Sequence, residues 1–517
     1  MRNSDLCRMR SLNAWMATSL RKVEPLNSTV HIDALPNEIL TMIFRLSCLE
    51  TTVYSTLVTD RLQREYIMSV CKRWNYLVVR EPMLWMCLQS NVVCDCSAEA
   101  HLEEDLENFF LAAERAGTRP LHVSHEGDEM HALVKPQFQN LLPRIQSLEF
   151  RDSPLDFIVK ALPLFTPSQM GRLQRLSIRC LEPERFDIIE MADQLSSIFT
   201  CQSLQDVSLF YTPIPFHLPA PLPSLQSFKI STNQPLDEEH LEALRNMPNL
   251  VHLTIRCGIS LREGSALLDN IPTLPLLHLQ TLSLCADCYS TQLLLGNIVA
   301  PRFKSLELTL AEALPLPATR FSQHVLWPLI ESQRFAMPVC KWLKVSVSKR
   351  AEGEGGSQHV FLRAFPSEPI GVEYWHRCGG ASLVLGFRPS HTYYRNQMTR
   401  RIFRSVFKDV EVIDARIPSY YGPDEKSSLD MPRKWWKIVF KSLPCLRRVL
   451  VDIGSKDYFA IFAALDAMRE RHSRWAPWVE RTQLYKGDPK NSGKIYPKKG
   501  WVEIHIGRPT GLKKSTP

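Results

Sequence analysis

Glycine is scarce for the length of the chain: 20 glycines stand against 36 prolines in 517 residues. That balance argues for many short elements joined by rigid turns. No apolar run approaches the roughly twenty residues needed to cross a bilayer, which excludes a helical membrane span. The 14 cysteines show no dense, regular disulfide spacing and no secretory signal precedes them, so reduced thiols in a cytoplasmic or nuclear setting are expected. Signatures of catalysis are missing as well. There is no Gly-x-Ser-x-Gly, no Walker-type phosphate loop and no Gly-x-Gly-x-x-Gly. A non-enzymatic chain without a cofactor is the expectation. Over most of its length the chain also lacks net charge. Residues 471–517 hold eleven Lys/Arg and three Asp/Glu, which accounts for the whole formal charge of +8. A globally basic nucleic-acid binder is therefore not indicated.

What is present fits a soluble protein of two to four domains, or one long repeat array. The hydrophobic fraction of 44% and charged fraction of 22% are ordinary. The most informative stretch is residues 35–85. It opens Leu35-Pro36-Asn37-Glu38-Ile39-Leu40, with proline where the first turn of a helix tolerates it. Leu35, Ile39, Met42, Ile43 and Leu46 recur at helical spacing, and Leu40 with Phe44 adds a second stripe. A polar interval, residues 51–64, leads to a second amphipathic segment, Val70-Cys71-Lys72-Arg73-Trp74 through Leu77 and Val78. Glu81-Pro82 stops it, and Met83-Leu84-Trp85 closes the stretch. Helices this small cannot make a large core alone, so their surplus apolar surface is a candidate partner surface.

Leu-Pro-x-Glu-Ile-Leu, Ile-Phe, Val-Cys-Lys-Arg-Trp and Pro-x-Leu-Trp, in that order, resemble an F-box. The resemblance covers about a tenth of the chain. It implies docking on a Skp-type adaptor and, through it, a cullin–RING ubiquitin ligase. It also implies that Leu35, Pro36, Ile39, Leu40, Ile43, Phe44, Val70, Cys71, Trp74 and Trp85 shape or form the adaptor surface. The interval after Leu46 is longer than the family's by roughly ten residues, and loop closure tolerates such an insertion, expected here to bulge outward. Without the resemblance these residues read as a plain helical hairpin in a core. Residues 1–30 are basic with near-helical apolar spacing, as in a helix leading into an F-box or in a mitochondrial presequence.

Residues 101–116 read as an amphipathic helix with Leu102, Leu106, Phe109, Phe110 and Ala113 on one side, ended by Gly117. A strand follows at residues 119–123. Seven segments then share the form apolar-x-x-apolar-x-apolar: Ile145/Leu148/Phe150, Leu173/Leu176/Ile178, Leu204/Val207/Leu209, Leu225/Phe228/Ile230, Leu250/Leu253/Ile255, Leu279/Leu282/Leu284 and Phe303/Leu306/Leu308. Their spacing, about 21 to 31 residues, resembles that of irregular leucine-rich repeats. That family's asparagine or cysteine after the strand is met once, by Asn233, and Pro-rich turns such as residues 218–223 are expected in its place. Further alternations, at Leu343/Val345/Val347, Leu383/Leu385, Val410/Val412, Leu446/Val449/Val451 and Val502/Ile504/Ile506, read as the array continuing with insertions, or as a separate C-terminal α/β domain. An F-box followed by such repeats resembles the large F-box families of mushroom-forming fungi.

The expected fold class is thus a mixed α+β or α/β solenoid: a small N-terminal helical F-box followed by an irregular leucine-rich-repeat-like array. The expected division is a lead-in helix or disordered segment at 1–30, the F-box at 31–90 and a linker helix at 91–120. The array occupies 121–336, its irregular, capped continuation 337–507, and a basic tail 508–517. The resemblance implies a substrate-recognition subunit of an SCF-type ligase, with an unidentified protein substrate on the repeats. An F-box scaffold outside ubiquitin ligation, or a diverged C-terminal hydrolase-like domain, are the rivals. Three local clusters carry blander readings. His122, His125, Glu126, Asp128, Glu129 and His131 read as a solvated polar loop rather than a zinc site. Cys285 and Cys288 read as buried thiols at a strand end, so no bound metal is expected. Trp435, Trp436, Trp475, Trp478 and Trp501, among basic residues, read as the cap of the array rather than a base-stacking surface.

Overall fold

The structure, a computed structural model, describes residues 32–49, 58–91, 99–127, 130–180, 195, 197–212, 221–232, 236–258, 273–310, 340–349, 358–365, 383–387, 404, 407, 409–415, 433–452, 456–469, 477–484 and 500–506. The lead-in segment 1–30, Cys94, Cys96, Asp128, Glu129, Asn233, Trp475 and the tail 508–517 lie outside them. Two compact units form, residues 1–90 with 96–124 and residues 91–95 with 125–517.

In the smaller unit, Pro36 stands just before helix α1 (Asn37–Leu49), and its carbonyl accepts the first helical bond from the Leu40 N–H at 3.1 Å. Helices α2 (Val58–Val70) and α3 (Lys72–Arg80) follow, and both contact α1. Residues 51–64 are therefore not simply an outward loop, because α2 begins at Val58. Leu62, Tyr66, Ile67 and Val70 had the helical spacing to reveal it. Glu81 ends α3 and caps a 3-10 turn (Pro82–Trp85) by accepting from the Met83 N–H at 3.2 Å. Strand β1 (Cys87–Asn91) up to Ser90, helix α4 (Glu99–Arg115) and strand β2 (Leu121–Glu126) up to Ser124 complete the unit, with β2 beside β1. Gly117 takes φ +59°, the left-handed conformation that closes a helix and that glycine adopts without a Cβ clash.

The larger unit is a mostly parallel sheet with helices. Its strands are β3 (Ile145–Ser153), β4 (Arg175–Cys180), β5 (Asp206–Phe210), β6 (Ser227–Ser231), β7 (His252–Arg256), β8 (Leu274–Pro275), β9 (Thr281–Ala286), β10 (Ile298–Val299) and β11 (Ser305–Leu310). Beyond them come β12 (Trp342–Lys349), β13 (Gln358–Phe365), β14 (Leu383–Phe387), β15 (Val412–Asp414), β16 (Arg448–Asp452), β17 (Pro477–Leu484) and β18 (Gly500–Ile506). The sheet order is β3-β4-β5-β6-β7-β9-β11-β14-β13-β12-β15-β16-β18-β17, and β8 pairs with β10 apart from it. From β3 to β11 every neighbour is parallel, and the inward residues stay in register: Leu148, Leu176, Val207, Phe228, Leu253, Leu282 and Leu306 form one row. Phe150, Ile178, Leu209, Ile230, Ile255, Leu284 and Leu308 form the next. All are buried, as period-two alternation requires of one face of a strand.

The first apolar residue of each segment closes a recurring turn. Its N–H reaches the carbonyl three residues earlier: Leu173 to Met170 at 3.0 Å, Leu204 to Cys201 at 3.2 Å, Leu225 to Leu222 at 3.2 Å and Leu250 to Met247 at 3.3 Å. The same turn returns far along the chain, in Val410 to Phe407 at 3.0 Å and Leu446 to Leu443 at 3.3 Å. Two consecutive N–H groups also share the carbonyl of the residue just before the preceding strand. Gln205 and Asp206 donate to Gln174, and Arg447 and Arg448 donate to Glu411. Here backbone groups, with side-chain links such as Gln146 Nε2 to Gln174 Oε1 at 2.6 Å, satisfy the turns. Between the two parallel blocks, β13 is antiparallel to both β12 and β14. At the far edge β18 pairs antiparallel with β16 and β17.

The local clusters differ in part from expectation. His122, His125 and Glu126 lie on β2 rather than in a solvated loop. His125 is 1% exposed, its ring stacked on Phe157 with centroids 4.5 Å apart. Cys285 is only half-buried, on the outward side of β9, so it is not the buried thiol expected. Cys288 starts the helix that follows (Cys288–Asn297). Trp435 and Trp436 are fully buried, edge to face at 4.8 Å, on a helix (Arg433–Ser442), where no base can reach them.

Candidate docking surface on the N-terminal helices

Helix α1 carries two apolar stripes, and the fold uses one. Leu40, Phe44 and Cys48, spaced by four, are buried, and Phe44 meets the Trp74 ring with centroids 4.9 Å apart. Ile39, Met42, Ile43 and Leu46 remain 38%, 49%, 39% and 52% exposed. Residues three and four apart are neighbours on a helix surface, so these four form one continuous apolar strip. Leu35 is half-buried and Pro36 exposed at the start of this helix.

Arg73 fixes that start. Its Nη2 donates to the Leu35 carbonyl at 2.6 Å and to Asn37 Oδ1 at 2.8 Å, and its Nε donates to the same Oδ1 at 2.9 Å. Lower on α1, Arg45 pairs with Glu81 at 2.7 Å. The strip is therefore held on a helix tied at two levels to the elements behind it.

Of the residues that the sequence singled out, Pro36, Ile39, Ile43 and Val70 are exposed, while Leu35, Cys71 and Trp74 are half-buried. Leu40, Phe44 and Trp85 are core: the Trp85 indole donates to the Val78 carbonyl at 2.8 Å. Met42 and Leu46 belong with the exposed set, as the spacing of their stripe already indicated. Tyr66 and Tyr76, on α2 and α3, are exposed too and were not among the residues that the resemblance implied.

Behind the helices lies a cleft of about 160 Å³. Trp85 lines it, with the Arg64 and Arg115 guanidiniums 5.2 and 4.5 Å from its ring centroid. Arg64 is buried and donates to the Leu84 carbonyl at 2.7 Å, so it braces the turn it covers. Among the described residues no cluster of three or more His, Cys, Asp or Glu side chains is placed to hold a metal ion, and no helix is long and apolar enough to cross a membrane. Burial, and then the charge of Asp152, pushes the Glu126 carboxyl up. No known family description matches this sequence, and neither does any curated protein.

Proposed function

We propose that the smaller unit is an F-box that docks on a Skp-type adaptor, and that the chain is the substrate-recognition subunit of an SCF-type cullin–RING ubiquitin ligase. The observation that carries this reading is the stripe of Ile39, Met42, Ile43 and Leu46 on α1, apolar, exposed and held on a braced helix. The larger unit, read as an irregular leucine-rich-repeat-like solenoid, holds the protein substrate. The chain itself transfers no ubiquitin; it acts by bringing the substrate to the other subunits.

Interfaces of this kind concentrate their energy in a few buried anchors. Replacing Leu35 and Pro36 together with alanine is expected to weaken adaptor binding at least about tenfold, or about 1.4 kcal/mol. Ile43→Asp with Leu46→Asp is expected to abolish capture of a Skp-type adaptor while leaving the thermal melt unchanged, because both side chains already face water. Capture of adaptor by that folded variant at the parental level would sink the reading. Copurification of a cullin with the parental chain separates a ligase subunit from an F-box scaffold.

A further inference from the structure

We infer that the outward face of strands β4 to β7 is a docking surface for an acidic protein segment, in extended form, with carboxylates on alternate residues. This deepens the substrate-receptor reading, and it rests on that reading only for calling the segment a substrate.

The argument starts from which charges on this face are matched. Arg175 and Arg179 on β4, Lys229 on β6 and Arg256 on β7 all point away from the core and are exposed. Among the described residues none of the four has an ion pair. On the flanking strand β3, Glu149 pairs with Arg151 at 2.7 Å and Asp152 is exposed; on β9, the other flank, there is no carboxylate, and on β11 beyond it Glu307 accepts from Ser283 Oγ at 2.9 Å. Between those strands one outward carboxylate stands, Asp206, level with Arg175 in the ladder. The remaining outward side chains of β4 to β7 are mostly hydroxyls, which satisfy a bound backbone without adding charge. The block therefore carries four exposed cations against one outward carboxylate of its own.

Register gives the spacing. Arg179, Phe210, Ser231 and Arg256 lie level across four adjacent strands. At roughly 4.8 Å per strand, Arg179 and Arg256 stand about 14 Å apart, and Lys229 is about one strand repeat away from the line that joins them. Same-side residues of an extended chain recur every ~6.6–7 Å, so two such steps span that distance. Single carboxylates can then meet single cations along the segment. A phosphate site would instead gather several donors onto one group. A nucleic-acid site would want a bare aromatic platform. Arg179 lies over the Phe210 ring, 5.2 Å from its centroid, and covers it.

The test uses the full chain and three probes: a peptide of alternating glutamate and serine, the same peptide with glutamine for glutamate, and a single-stranded RNA homopolymer. The glutamate peptide is expected to bind, with affinity falling as salt rises, and the glutamine peptide to bind at least tenfold more weakly. A variant with Arg179→Gln, Lys229→Gln and Arg256→Gln is expected to lose at least tenfold for the glutamate peptide. Its melt should be unchanged, since all three side chains lie in water. A second variant, Arg508→Gln with Lys513→Gln and Lys514→Gln, is expected to bind like the parent. Equal binding by the first variant, loss confined to the second, or tighter binding of RNA than of the glutamate peptide would each overturn the inference. Adaptor capture is read on the same samples. Failure of the parental chain to bind the glutamate peptide while it captures adaptor refutes this inference alone; peptide binding by the parental chain without adaptor capture refutes the ligase reading alone.

Discussion

Burial pushes the thiols of Cys180 and Cys257 up to about 12, and those of Cys201 and Cys340 to about 11. In the folded chain they keep their protons at pH values where the unfolded chain loses them. The folded state then binds more protons, and stability falls as pH rises. Below about pH 9, the ordinary value for a thiol, these groups leave stability flat. From there to about 12 their contribution drains away. Urea midpoints are expected to be level with respect to these thiols at neutral pH and to drop above pH 9, and Cys257→Ala should make that drop shallower. Among the described cysteines of the same native chain, the exposed Cys445 should react with a disulfide reagent before the four buried thiols, which react only as the protein opens. Prompt labelling of Cys257 in native protein would contradict the placement of its side chain. At this scale the sequence is a partial guide. Cys285 looks like Cys257 in composition, yet one faces outward on β9 and the other is buried past the end of β7. Arg64 stands in a polar run and still ends up buried against Leu84 and Trp85. Which face a lone residue takes depends on neighbours distant in sequence, and no local spacing reports that.

Strands behave differently, because alternation is a local property that survives packing. Each of the seven apolar triplets contributes two inward residues to the rows of the sheet and one to the turn before it. The turn carries a mark of its own, since the residue three places earlier whose carbonyl accepts (Leu142, Met170, Cys201, Leu222 or Met247) is apolar, and buried, in each case. Strand pairing was not readable. Nothing in the alternation of β13 or β14 tells an antiparallel neighbour from a parallel one. The same face logic makes a quantitative prediction. Leu253 is buried on β7 between Phe228 and Leu282 in register, and Thr254 faces outward beside it. Leu253→Ala is expected to cost about 2–5 kcal/mol through lost transfer and cavity terms. Thr254→Ala should stay within about 0.5 kcal/mol. Hydrogen exchange should show the first change weakening the amides of β6, β7 and β9 most. Equal protection in the two variants would mean that the inward and outward assignments of β7 are wrong.

On the scale of the whole molecule, the division of the chain decides which cuts it tolerates. Helix α4 reads in the sequence as a linker, but it belongs to the smaller unit: Phe109, Ala112 and Ala113 are buried, and the helix packs on the turn Pro82–Trp85. A cut after residue 90 would strip that face, so the boundary between the units is cut after residue 124, within β2. Removing residues 1–124 is expected to leave a folded second unit that captures no adaptor. The other end is asymmetric. Strand β18 supplies the antiparallel neighbour of β16, from Arg448 opposite His505 to Asp452 opposite Trp501. The helix Lys456–Arg469 packs on β16 and on the helix that carries Trp435 and Trp436. Removing residues 456–517 therefore bares a strand edge and apolar surface together, the combination that pairs with other chains and aggregates. This shortened chain is expected to melt lower and to aggregate, while the fraction that stays soluble still captures adaptor. A tail that served only to bind nucleic acid predicts the reverse: solubility and melting unchanged, and a salt-dependent nucleic-acid affinity lost. Thermal melts and a salt titration of RNA binding on the two shortened chains distinguish the outcomes, because loss of a sheet edge moves the first measurement and loss of a cationic arm moves the second.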